Sequence, residues 1–174
     1  GLVATVIVIG IGFYWNSNID EFRLKPGDTQ LSDEVVGVVK GYERRETDDG
    51  VLKYYIKADK ATTFSDDHQE LENVYLQVFD EENQEIVDKI SSNKAIYIPI
   101  ADSKDFRIYF AGDVDINTRH NLHVKTEQLA YDKSKEIADS QEFVEFQREN
   151  VSGVSYGAIV DIGNKTLDLL RDVE

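Results

Sequence analysis

The sequence predicts an all-β protein made of paired antiparallel strands, on three observations. The first is period-two alternation. In Arg107-Ile-Tyr-Phe-Ala-Gly-Asp-Val-Asp-Ile116 the even positions are apolar or small, and the odd ones include Arg107, Asp113 and Asp115. A strand sends alternate side chains to opposite faces, so this one has a greasy face and a wet face. The second is recurrence: strands return every 8–12 residues with turn residues between and almost no helical pattern, the mark of a sandwich, barrel or jelly roll. A strand pair repeats about four times, on the scale of roughly 30 residues at which stacked units share one core. The third is that several alternations slip by one residue, as between Ala58 and Ala61, which predicts the bulges or corners that curved sheets need.

Taken in order, Leu2 to Trp15 holds no charged residue, and Tyr14 and Trp15 stand where it meets polar Asn16-Ser17-Asn18. That combination predicts a transmembrane helix over residues 1–15 with interfacial aromatics. Fourteen residues rise only about 21 Å as a helix, against a bilayer core of about 30 Å. The chain, which lacks even an initial methionine, is therefore expected to begin after its natural N-terminus, with the remaining turns upstream. Gly1, Ala4, Gly10 and Gly12 suit close packing against other membrane helices. Residues 16–34 are polar, include Pro26, and read as a linker.

The main domain spans 35–174. Leu52, Tyr54, Ile56 and Ala58 alternate before a polar corner at residues 65–69. Val74, Leu76 and Val78 follow, with a turn at 80–83. Ile90, Ala95 and Tyr97 lead through Pro99 to the 108–116 strand. Val124, Leu129 and Tyr131 precede a turn at 132–135, then come Ile137, Val144 and Phe146. Val154, Tyr156, Ala158 and Val160 approach the end, and Thr166–Arg171 fits a final strand or a short helix.

Composition excludes whole classes of function. With 174 residues, 41% of them hydrophobic, one domain has material for a real core. Thirty-four acidic against 19 basic side chains give a net charge of −15. Nucleic-acid binding needs a basic stripe, and none is visible. Docking onto an anionic membrane surface is disfavoured for the same reason, and the acidity reads as a solubility device. There is no cysteine, hence no disulfide, thiolate metal site or cysteine nucleophile.

Catalytic motifs are present only in outline. Gly153-Val-Ser-Tyr-Gly157 matches the nucleophile-elbow spacing, but that motif needs a strand–turn–helix setting with an acid and then a histidine after the serine. His68, His120 and His123 all precede Ser155. Asp113-x-Asp115-x-Asn117 lacks the glycine and closing glutamate of a calcium loop, with Thr118 and Val124 in their places. His120-x-x-His123 reads as a surface turn. The acid doublets 48–49, 66–67 and 81–82 fall in turns, which makes paired-carboxylate glycosidase chemistry a poor fit. The sequence thus predicts no enzyme, no cofactor and no metal.

The order of the strand motifs resembles the LptC family. Asp49-Gly-Val-Leu-Lys-Tyr-Tyr-Ile-Lys-Ala58 is similar to that family's first long strand, and Ile90-x-x-x-x-Ala95 to its middle strand. Phe110-Ala-Gly-Asp-Val-Asp-Ile116 resembles the Gly-x-Val-x-Val strand shared with LptA-like domains. Thr126-x-x-Leu129 and Ser152-Gly-Val-Ser-Tyr-Gly157 match later landmarks. The resemblance covers Val35 to Val173 and departs from the family pattern around residues 99–104. It implies an open, twisted β-jelly roll behind a single span, in the bacterial inner membrane with the main domain in the periplasm. It implies a lipopolysaccharide carrier that takes the lipid from the LptB–LptF–LptG ABC transporter, docked through the helix and the jelly-roll edge. The lipid then passes to LptA at the C-terminal edge.

Alternation assigns Leu52, Tyr54, Ile56, Leu76, Val78, Ile108, Phe110, Val114, Val124, Leu129, Tyr131 and Phe146 to the interior. It does not separate a packed core from an open trough; the lipid-holding trough is what the resemblance implies. Gly50, Gly112, Gly153 and Gly157 are expected at strand entries and bends. Thr166, Leu167, Leu169 and Leu170 are the expected docking edge for LptA. Two other classes stay open: a membrane-tethered glycan-binding jelly roll, using Tyr55, Tyr75, Phe79 and Tyr109 on the opposite face, and a purely structural adaptor.

Overall fold

Each long strand carries apolar residues of both parities, so a flat sheet would leave half of them in water. The chain resolves this by creasing. The computed structural model describes residues 31–174. Within them run nine antiparallel strands: β1 (Val35–Asp48), β2 (Val51–Phe64), β3 (Gln69–Phe79), β4 (Val87–Pro99), β5 (Phe106–Asn117), β6 (Leu122–Asp132), β7 (Ile137–Arg148), β8 (Val151–Asp161) and β9 (Thr166–Arg171). Each pairs with the next in one sheet of order β1 to β9. The expected transmembrane helix and the linker up to residue 30 lie outside the described residues. Among the described residues no helix is long and apolar enough to cross a membrane. Residues 31–34 have no regular structure and are tied to the β2–β3 corner, where the Ser32 N–H donates to Asp66 Oδ2 at 2.9 Å and Ser65 N–H to the Glu34 carbonyl at 2.9 Å.

The buried face switches parity midway along the strands. In β2 it passes from Tyr54, Ile56 and Ala58 to Ala61, in β3 from Leu71 to Val74, in β4 from Ile90 to Ala95, and in β6 from Val124 to Leu129. Register breaks fall at the same level, between Ser91 and Lys94, Ala111 and Val114, Thr126 and Ala130, and Ser140 and Phe143. Left-handed backbone at Gly41, Asn73, Gly112, Asp113 and Gly157 marks the same line. Bulges bend strands and raise their twist. A row of them across neighbouring strands therefore folds one sheet into two leaves that face each other.

Side chains confirm the folding. Tyr54, on the leaf holding residues 51–58 of β2, meets Phe106, on the leaf holding the start of β5, edge to face at 4.7 Å. Those strands are not neighbours in the sheet. Phe106 also touches Tyr97 at 5.1 Å and Tyr131 at 6.2 Å, and the Arg44 guanidinium lies 5.2 Å from the Tyr97 ring. The result is one continuous core between the leaves. A smaller cluster, Ile137 and Ile159 with Ala130 and Leu170, lies apart from it.

Opposite the crease, the turns of the two leaves meet along a mouth. Lys104 of the β4–β5 turn reaches the Thr47 carbonyl (3.3 Å), Glu46 (3.7 Å) and Asp48 (3.8 Å) at the end of β1. Arg119 of the β5–β6 turn reaches Glu136 of the β6–β7 turn at 3.9 Å. At the β1–β2 turn, Asp49 and Gly50 both adopt left-handed backbone (φ 49° and 77°), as a two-residue type I′ hairpin requires.

Gly112 shows how tightly the crease is built. Its φ is +82°, and an added Cβ would lie 2.9 Å from Asn93 Nδ2. Gly112→Ala is expected to cost about 1–3 kcal/mol through backbone strain and crowding, read as a lower urea midpoint.

Asp132 gives a second expected result. Burial pushes its carboxyl up, but hydrogen bonds from Ser134, Arg107 and the Lys135 N–H outweigh that and hold it below the usual carboxylate value. A depressed native pKa adds stability above the unfolded value, about pH 4, and that stability is lost as pH falls through the native one. Asp132→Asn should cost about 1–3 kcal/mol at pH 7 and flatten this part of the acid limb in urea titrations.

Two details differ from simple alternation. Tyr156, placed inward by its spacing from Val154 and Ala158, is exposed, while Ser155 is fully buried. The positive φ at Gly157 sets the crease just after them, so the buried face passes from Ser155 to Ala158 and Val160. Thr166–Arg171 is a strand, not a helix.

Candidate functional site

Ten of the twelve expected interior residues are buried in the shared core, and Leu52 and Phe146 are half-buried. Most of that core is packed shut: Ile56, Leu76 and Ile108 have no exposed surface, and Phe110 has 1%. At native packing density such an interior has no room for a lipid chain. Along most of its length it is a core in this conformation, not a trough.

The exception is the β7–β9 end of the mouth. β9 has six residues and, among the described residues, pairs only with β8, with no further strand continuing the sheet there. The leaves enclose a cavity of about 470 Å³, within the range of small-molecule sites. One leaf contributes Leu122 from β6 and Phe146 and Val151 from β7 and β8. The other contributes Val160, Ile162, Leu167 and Leu169 from β8, β9 and the turn between them. Of the expected interior set only Phe146 reaches it. Of the expected docking edge, Thr166, Leu167 and Leu169 line it, and Leu170 packs in the separate Ile137–Ile159 cluster.

Sequence reading missed Leu122, Val151, Val160 and Ile162 as cavity residues. Leu122 and Ile162 flank turns, where an apolar residue beside a polar run was the available signal. The polar rim comprises Thr118, His120, Arg148, Glu149, Asp161, Lys165, Thr166 and Asp168. Burial, with Lys165, Arg119 and Arg148 nearby, pushes the His120 pKa down. Burial and the neighbouring Asp161 push the Asp168 carboxyl up.

The glycines serve different ends. Gly50 and Gly112 occupy the left-handed positions already described, and Gly157 another in the crease. Gly153 has an ordinary φ; a Cβ there would collide with the Phe146 ring and the Glu174 carbonyl. That carbonyl accepts from Val154 N–H at 2.9 Å, so the chain beyond β9 keeps pairing with β8.

The catalytic outlines resolve into structure. Ser155 Oγ is buried and donates to the Gly157 carbonyl at 2.8 Å, with the Arg171 carbonyl at 3.2 Å, so its proton and lone pairs face backbone rather than a base. His123 Nε2 pairs with Asp115 at 2.9 Å across a strand pair. No group of three or more metal-ligating side chains forms among the described residues. The four tyrosine and phenylalanine residues considered for glycan stacking are half-buried. Tyr55 lies 5.1 Å from the Arg45 guanidinium, and burial lifts the Tyr109 hydroxyl to about 12. They offer no open aromatic platform.

At the other end of the sheet, β1 is also an edge. Val35, Val36, Val38 and Val39 are each at least half exposed, an apolar strip beside backbone groups that no strand among the described residues pairs. Its signal in sequence is the run Val35-Val-Gly-Val-Val39, which lacks alternation.

A family model described as lipopolysaccharide-assembly, LptC-related, matches residues 3–174. No curated protein matches the chain.

Proposed function

From the premise that this chain belongs to the LptC family, and so takes part in lipopolysaccharide transport, we propose that it is a conduit holding lipid acyl chains at the β7–β9 end of its mouth. The observation that carries this reading is the apolar cavity opening at an unpaired sheet edge. Burying a methylene contributes about 0.8 kcal/mol, so an apolar pocket grips a chain without directed polar contacts. At about 470 Å³ the cavity is on the scale of a small-molecule site, suited to a single chain rather than a whole multi-chain lipid.

A lipid with several chains must therefore part the leaves or leave chains outside. The mouth is lightly fastened. Lys104 is 60% exposed and its contacts are 3.3 Å or longer, the kind of surface pairing worth about 0–1 kcal/mol. Arg119 reaches across the mouth to Glu136 at 3.9 Å, while its bonds to Asp80 and Asp88 stay within its own leaf. Neither contact opposes parting of the leaves strongly.

The two edges suit the two handovers. The unpaired backbone of β9 lies beside the cavity and fits strand addition by LptA. The valine-rich edge of β1 fits the jelly rolls of the LptB–LptF–LptG transporter, with the expected transmembrane helix in its membrane part. On this reading the domain lies in the periplasm, on an inner-membrane anchor. The chain supplies no chemistry; the partner ATPase supplies the energy.

Leu169→Trp, which fills the cavity, tests this reading. The variant should lose at least tenfold in lipopolysaccharide affinity while its thermal midpoint stays near that of the parent. Unchanged affinity would remove the cavity from the lipid path.

A further inference from the structure

The cavity's rim is built from both leaves. Arg148 ends β7, Lys165 sits in the β8–β9 turn and His120 in the β5–β6 turn, and all three line one opening of a protein whose net charge is −15. Among the described residues neither Arg148 nor Lys165 takes part in an ion pair, whereas Arg119 next to them is held by Asp80, Asp88 and Glu136. The acids of the rim are differently placed. Asp161 accepts from the Asn164 N–H and side-chain amide, both at 2.9 Å, which turns it toward its own turn. Asp168 is half-buried beside Asp161, and burial with that neighbour pushes its carboxyl pKa up. Glu149 is exposed, next in sequence to Arg148.

We propose that Arg148 and Lys165, with His120 beside them, form an anion-binding rim that receives the acidic headgroup of an amphiphile whose chain occupies the cavity. The inference rests on the reading of that cavity as a lipid site. The headgroup is a carboxylate or a phosphate; both present oxygens that arginine and lysine recognise, arginine in a fork and lysine as a point charge. The apolar floor behind the rim excludes water from one side of the contact and strengthens it. The net acidity of the chain repels anionic lipid elsewhere on its surface, so the rim also fixes the direction of entry: chain inward, headgroup at the mouth.

The test uses the full chain with three probes of one chain length: myristate, its methyl ester, and myristoyl lysophosphatidic acid. Affinities are measured by displacement of a fluorescent fatty acid, for the parent and for Arg148→Gln/Lys165→Gln. The charged probes should bind about tenfold more tightly than the ester, the scale of one hydrogen bond to a charged group. The double variant should lose that preference while keeping the ester's affinity and its own thermal midpoint. The stronger of the two charged probes assigns the headgroup as carboxylate or phosphate. Equal affinity for ester and acids, or a preference that survives the double variant, would overturn the rim while leaving the lipid cavity in place. Failure of all three probes to bind would overturn both.

Discussion

Phe106→Ala is expected to destabilise the fold by about 3–5 kcal/mol, the range for deleting a fully buried phenylalanine. Phe106 has no exposed surface, and its ring touches Tyr54 of the opposite leaf and Tyr97 and Tyr131 of its own. Removing it leaves a cavity between the leaves that rigid strands cannot collapse. Domain stabilities are about 5–15 kcal/mol in total, so this single change removes a large share. Phe106→Leu keeps most of the volume and should cost far less. Urea unfolding of both variants checks this, and equal midpoints for the alanine variant and the parent would mean that the leaves do not rely on this contact.

Arg119→Ala has the second large effect, again about 3–5 kcal/mol. The Arg119 backbone N–H donates to Asp88 Oδ1 at 2.6 Å and Nε to Oδ2 at 2.7 Å, while Nη1 reaches Asp80 at 2.9 Å and Nη2 bonds Asp88 again. Asp88 is 1% exposed, so losing the guanidinium strands a buried carboxylate. Replacing both partners removes the stranded charge. Arg119→Met/Asp88→Leu should therefore recover much of the loss, since apolar replacement of a buried pair is often near neutral. A double variant as unstable as Arg119→Ala would place the effect in packing rather than charge.

Strand identity was legible because alternation is a local property. The inward residues of β2, β3 and β5 could be read directly from every second position. The crease was legible only as slipped parity, at Ala58 and Ala61, because a bulge announces itself in sequence merely as an interrupted pattern. At Gly157 the spacing of Val154, Tyr156 and Ala158 carries no sign that the face reverses, leaving Tyr156 outside and Ser155 inside. The cavity was not legible at all. Whether Phe110 and Phe146 line a core or a trough depends on how far apart two distant strands stand, and no periodicity encodes that distance. Phe146 differs from Phe110 in lying near the end of the sheet, where β9 is short and no further strand among the described residues packs between the leaves. The basic rim was hidden for the same reason: Arg148, Lys165 and His120 come from three separate elements, and the acidic composition pointed away from anions.

The claim that acyl chains occupy the β7–β9 mouth is tested most directly by a photo-crosslinking side chain at Phe146, and separately at Gln147, in cells producing lipopolysaccharide. Neighbours on a strand face opposite ways, so each position is the control for the other. Phe146 lines the cavity, and Gln147 lies on the exposed outer face. Lipid adducts at 146 and none at 147 are the expected result. Adducts at neither position, or equally at both, would contradict a lipid held between the leaves.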